Sequence, residues 1–265
     1  MLSAIPLDAQ VTAGNVSANK RRALVLAFAF FASLGALLGL AGLVVAGPAG
    51  LLVGLVVSAA ATAGAYWASA PVALALARAR PVDPVGHARL HNVVEGLCFA
   101  SGLPKPTVCV VDDPALNAFA TGRSPKHAAV AVTTGLLSGL SRVELEAVLA
   151  HELSHVKTWD VLVSTLAVTM VGLPAALLPG PAATRLVAAA VGTGREPVAD
   201  VSGVSLTRYP PGLITALEKL RSGPVAVASS SRAASRATAH LWIEPTGPAQ
   251  THTPLRERIE ALREL

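Results

Sequence analysis

The sequence is short of the residues that build most soluble proteins. Of its 265 residues, 14% are charged, 4% are aromatic and two are cysteine. Apolar residues make up 52% and the mean hydropathy is positive. That balance argues against an ordinary soluble domain and for a membrane protein. The net charge of +5 is spread along the chain, with no dense Lys/Arg patch interleaved with aromatics. Nucleic acid is therefore excluded as a partner, and the basic excess is better read as membrane orientation. Cys98 lies in a helix pattern and Cys109 in a strand pattern. Both read as buried small apolar residues, neither a disulfide nor metal ligands.

Residues 1–22 read as a loose N-terminal tail ending in Lys20-Arg21-Arg22. Ala23–Ala46 then runs for 24 residues without a charge, long enough to cross a hydrocarbon core of about 30 Å. Gly47-Pro48 breaks the run. A second uncharged stretch, Ala49–Ala77, ends at Arg78 and Arg80, with Tyr66 and Trp67 near its end, where amphipathic aromatics meet an interface. The first run is too long for a cleaved signal peptide, and a second span follows it directly. Gly35/Gly39 and Gly50/Gly54 predict close packing of the two spans. Basic residues flank the outer ends of the pair and none lies in its turn. The positive-inside rule then places both ends in the cytoplasm.

The remainder, 81–265, reads as one domain. A helix is expected over Pro84–Leu103, and strands at Thr107–Val111, Ala118–Thr121 and Ala128–Thr133. Val161–Leu178 is a third apolar run of 18 residues, and Ala182–Gly194 a weaker one of 13. The latter is about 20 Å as a helix, too short to span comfortably. The region 161–194 therefore reads as a helical hairpin that dips into or lies against the membrane, in preference to two full spans. Leu213–Arg221 reads as a helix, Ser222–Ala239 as a loop, His240–Ile243 as a short strand and Pro254–Leu265 as a closing helix.

The chemistry centres on His151-Glu152-Leu153-Ser154-His155. Residues four apart on a helix share a face one turn apart, so the two imidazoles can hold one metal ion while Glu152 reaches a water on it. This H-E-x-x-H pattern supplies two zinc ligands and a general base. Ser141-x-x-Glu144 is a capping box that starts this helix, with Val143, Leu145, Val148, Leu149 and Leu153 as core candidates. A catalytic zinc takes a third protein ligand. Glu196 is the candidate, with Asp200 on the same helical face to accept a ligand's imidazole N–H. The alternative is a solvated helix start, with Glu196 favourable at the positive end of the dipole.

Taken together, these motifs resemble the HtpX-type membrane metalloproteases, relatives of the CaaX prenyl protease. The matching segments are HELSH with Asp160 following, E-x-x-A-D at Glu196–Asp200, Asn117-Ala-Phe-Ala-Thr-Gly122, Thr251-His252-Thr253-Pro254 with Arg258-Ile259, and the two N-terminal spans. Pro197 stands where the family usually has an aromatic, and Thr253 where it has a proline. The resemblance implies His151, His155 and Glu196 as ligands of one Zn2+ per chain, and Glu152 as general base. Asp160 joins Asp200 as a supporting carboxylate. His240, His252 and Arg256 are candidates to stabilise the oxyanion, and Asn117, Ala118, Phe119 and Ala120 form a strand for an extended substrate.

The expected fold is α+β: a mainly helical, zincin-like metalloprotease domain with a small β-sheet, after an N-terminal transmembrane helical hairpin at 23–80. The expected function is a membrane-embedded zinc endopeptidase of the inner membrane, multi-pass, with termini and site on the cytoplasmic side. Its partners are the lipid bilayer and protein or peptide substrates, expected to be misfolded or damaged membrane proteins. A membrane-anchored zinc-binding scaffold, and a zinc hydrolase of small peptides or lipid-linked substrates, are the alternatives.

Overall fold

The structure, a computed structural model, describes residues 7–176, 178, 180–192, 194–224, 232–245 and 252–265. Helix α1 (Leu7–Leu76) is broken at Ala46 and Gly47, where Gly47 takes φ +61°. Beyond the break the chain doubles back on itself. A Cβ on Gly50 would stand 1.9 Å from the Gly42 carbonyl oxygen, and one on Gly54 2.4 Å from that of Leu38. The two arms thus touch backbone to backbone, as the glycine spacing predicts. Their outer faces carry exposed Leu24, Phe28, Leu40, Val44, Val53 and Val56. This helix has the length and composition to cross a membrane. The tail is not loose: helix begins at Leu7, and buried Asn19 donates from Nδ2 to the Thr158 carbonyl at 3.0 Å.

A four-stranded sheet follows, with β1 (Arg80–Pro81), β2 (Thr107–Val111), β3 (Ala118–Gly122) and β4 (Ala128–Thr133) in the order β1-β2-β4-β3. β2 and β4 are parallel and the outer pairs antiparallel. The parallel pair needs a crossover, and β3 with its turn supplies it. Helix α2 (Ala88–Ser101) stops at Gly102, whose φ of +69° a side-chain-bearing residue would resist. Short α3 (Thr134–Gly139) leads to α4 (Arg142–Lys157), which begins with the expected capping box: Ser141 N–H donates to Glu144, and Glu144 N–H to Ser141. Leu145, Val148, Leu149 and Leu153 of α4 enter the main core with α2 and the sheet, while Val143 stays exposed.

At Trp159, in a left-handed conformation, the chain bends by 86° into α5 (Asp160–Ala167). A π-helical turn at Val168–Gly172, then α6 (Leu173–Ala175) and α7 (Gly180–Val191) follow. Helix α5 and the π-helical turn pack on α1 through Leu162, Leu166 and Met170 against Ala23, Leu26 and Phe30. Then come α8 (Arg195–Thr207), α9 (Pro210–Ser222), α10 (Arg232–Thr238) and α11 (Leu255–Leu262). Two expectations change. The loop expected over 222–239 lies partly outside the described residues, and Arg232–Thr238 is helical. His240–Ile243 is not a strand; it makes a 3-10 turn and one antiparallel bridge, Trp242 to Phe119.

Candidate metal centre

Helices α4 and α8 cross closely because Gly203 faces α4; a Cβ there would stand 2.9 Å from the His151 backbone nitrogen. The crossing carries Glu196 to the two histidines of α4. His151 Nε2 lies 3.3 Å from Glu196 Oε2 and His155 Nε2 3.8 Å from Glu196 Oε1. One donor atom from each of the three residues falls within 4.8 Å of the others, and all three are buried. Asp200, one turn beyond Glu196, lies 2.8 Å from His151 Nδ1, and Asp160 lies 2.7 Å from His155 Nδ1.

Those two carboxylates decide what the site can hold. Each Nδ1 faces an aspartate, which leaves the Nε2 atoms of His151 and His155 turned to the same space, 3.3 Å apart. Both oxygens of buried Glu196 accept no hydrogen bond among the described residues. Two imidazoles and a buried carboxylate whose oxygens form no well-aligned hydrogen bond, all converging within 4.8 Å, form a set that a cation completes. Two nitrogens and a carboxylate are also donors that suit zinc, and the carboxylate–histidine pairs orient them.

The charges are distributed accordingly. Burial alone would lower the pKa of His151, but its bonds to Asp200 and Glu196 raise it to about 9. Burial opposes ionisation of Asp160, yet Arg195 and His155 bring it to about 2. Glu196 is held well below the ordinary carboxylate value against its own burial by His252, His151 and Arg195. Glu152, 1% exposed, makes no hydrogen bond or ion pair among the described residues, and burial raises its pKa. A carboxylate shifted upward in this way is suited to take a proton.

Other expected residues are placed differently. Arg256 does not reach the centre; it is exposed and paired with Glu260 at 2.9 Å. Arg258, two residues on, is buried there instead. It donates to both Asp200 oxygens at 2.8 and 2.6 Å and lies 3.3 Å from Glu196. The signal was present in the sequence, since Arg258 shares the face of α11 that buries Leu255, Ile259 and Leu262. Arg195, also unforeseen, bonds Asp160, Ser164 and the His240 carbonyl. His252 lies 3.3 Å from Glu196 Oε1, whereas His240 spends its Nε2 proton on the Ser164 carbonyl at 2.8 Å. Burial lowers the pKa of these two histidines to about 3 and about 4.

The substrate-strand expectation also meets an obstacle. The outer edge of β3 is covered: Ile243 N–H donates to the Ala118 carbonyl at 2.9 Å, and Asn117 Nδ2 to that of Glu244 at 2.8 Å. Asn117, Ala118, Phe119 and Ala120 are all buried. No peptide adds at Ala118–Phe119 while residues 241–244 stay in place.

A helix presenting two histidines and a glutamate, completed by a carboxylate from a second helix, is the arrangement of a metallopeptidase. Residues 84–265 match Peptidase family M48. Over 94% of its length the chain is 38% identical to a protease HtpX homolog from Tropheryma whipplei strain Twist, covering 97% of that protein. It is 35% identical to one from Streptococcus pneumoniae strain Hungary19A-6, over 94% and 98% of the two chains. To a third, from Thermoanaerobacter pseudethanolicus, it is 36% identical over 76% and 80%. The chain belongs to peptidase family M48 and is a metalloprotease, a hydrolase of peptide bonds.

Proposed function

We propose that this metalloprotease is a zinc endopeptidase in which His151, His155 and Glu196 hold one Zn2+ and Glu152 is the general base. The observation that carries the reading is the convergence of the His151 and His155 Nε2 atoms with buried Glu196 within 4.8 Å. Zinc bound there supplies Lewis acidity towards the scissile carbonyl and acidifies water. Glu152 accepts the proton of the attacking water and returns it to the departing amine. Asp200 and Asp160 hold the His151 and His155 rings in register, and Arg258 and Arg195 hold those aspartates ionised. His252, beside Glu196, is the nearest of the three expected oxyanion partners.

The two arms of α1 cross the inner membrane, with termini and site on the cytoplasmic side. Lys20-Arg21-Arg22 and Arg78 with Arg80 at the same end of the hairpin support this orientation. The 161–194 hairpin, packed along α1, dips into the same face without crossing. Substrates are misfolded or damaged membrane proteins, in keeping with a site tied to a membrane hairpin. A second reading, a hydrolase of small peptides, is favoured by the covered edge of β3.

The test is cleavage of casein, of a misfolded membrane protein and of short peptides by detergent-purified chain with zinc. Glu152→Gln lowers turnover by about 10²–10⁴-fold with zinc retained, and Glu196→Ala loses the zinc. Equal turnover in the Glu152→Gln protein sinks the assignment of the base. Cleavage of short peptides alone moves the reading to the small-peptide hydrolase.

A further inference from the structure

The turn between β3 and β4 carries a basic group that the peptidase chemistry does not use. The Arg123 guanidinium lies over the Trp67 ring, 4.2 Å from its centroid, and 5.9 Å from that of Tyr66. Those two rings meet edge to face at 5.7 Å. Among the described residues the Arg123 side chain donates no hydrogen bond and forms no ion pair, so its N–H groups are free while its face is held. Lys126, at the tip of the same turn, is exposed, and Trp67 is 63% exposed. Stacking on an aromatic fixes a guanidinium without consuming its donors.

The height of this turn is fixed by two apolar elements. Gly122 N–H donates to Thr165 Oγ1 of α5 at 2.9 Å, and Thr169 Oγ1 donates to the Ala65 carbonyl of α1 at 3.2 Å. The tip therefore stands level with Ala65–Trp67. Between that level and the break at Ala46–Gly47 lie residues 27–45 on one arm and 48–66 on the other. Each length is about 28 Å at 1.5 Å per residue, close to the thickness of a bilayer's hydrocarbon core. The layer of lipid phosphates then falls at Arg123 and Lys126.

We propose that Arg123, seated on Trp67, and Lys126 bind the phosphate of an anionic membrane lipid, and that this contact sets the height of the metal centre above the bilayer. The planar fork of Arg123 suits bidentate phosphate contact, and Lys126 adds a point charge. The proposal rests on the membrane reading above.

The test uses the full chain, stripped of native lipid in neutral detergent and then offered phosphatidylglycerol and phosphatidylcholine in equal amounts. Retained lipid is read by native mass spectrometry. The parent is expected to keep phosphatidylglycerol several-fold over phosphatidylcholine. Arg123→Glu and Lys126→Glu each bring the ratio close to one, Trp67→Leu lowers it partway, and Arg256→Glu, the same charge change far from the turn, leaves it. If Arg123→Glu does not fold, Lys126→Glu decides. A parent without preference, or a preference that survives both reversals, overturns the site. Complete displacement by inorganic phosphate would make it a free-anion site and overturn the lipid assignment. Flotation with liposomes separates the two readings. A chain that fails to float sinks the membrane reading, whereas one that floats without lipid preference sinks this site alone.

Discussion

The N-terminal hairpin and the α4–α8 crossing are both brought backbone to backbone by glycine, and they do opposite things with that closeness. In the N-terminal hairpin, Gly50 meets Gly42 and Gly54 meets Leu38, with apolar side chains turned outward. At the metal centre, Gly203 admits α8 to α4, and the interface is lined with His151, His155, Glu196, Asp200 and Arg258, all buried. If the arms lie in lipid, as proposed, lipid offers apolar side chains as good an environment as another helix does, and the hairpin then relies on van der Waals contact along small residues. In the domain, apolar surface has already gone to the core on the other face of α4. The charges left inside must satisfy one another. Close approach is the shared device, and the solvent around it decides whether the seam is bare or charged.

The comparison can be broken hardest at Arg258. Arg258→Met leaves Asp200 and Glu196 buried without their partner and is expected to cost about 3–5 kcal/mol. Arg256→Ala, on the exposed face of the same helix, should leave stability nearly unchanged. Chemical denaturation of both proteins checks the pair, and equal losses would mean that the buried network carries no special weight.

The two glycine seams should fail in different currencies. Gly203→Val pushes α8 off α4, and metal analysis should find zinc lost along with about 1–3 kcal/mol of stability. Gly50→Val forces the arms apart at a similar cost, yet zinc content should hold, since no ligand lies on α1. Zinc lost equally from both variants would show that the hairpin and the centre are one mechanical unit. The smallest effect is expected at the start of α4. Ser141→Ala removes one half of the capping box and should lower stability by about 1 kcal/mol with turnover intact.

Local features were legible in advance where a short-range rule sets them. Ser141 and Glu144 cap one another across three residues, and the structure has both bonds. The strands around Cys109, Phe119 and Val130 lie as expected, the first a β-branched run and the other two either side of the turn residues Gly122 and Pro125. The stretch before the first span was misread because its polar composition hides a tertiary contact: Asn19 reaches Thr158, 139 residues away. The strand expected at His240–Ile243 gained only a bridge, because the chain there crosses β3 briefly and turns off towards Asn117.

Sequence by itself determined the elements whose causes lie within a turn or two of helix. These are the shared face of His151 and His155, the length of the apolar runs and the break at Gly47-Pro48. Helical period and hydrophobic thickness depend on neighbours alone. Tertiary structure alone decided that Arg195 ties Asp160 to the His240 carbonyl, that Asn19 reaches Thr158, and that residues 241–244 cover β3. Each is a contact between segments dozens of residues apart, set by how whole helices pack, and no local spacing encodes it.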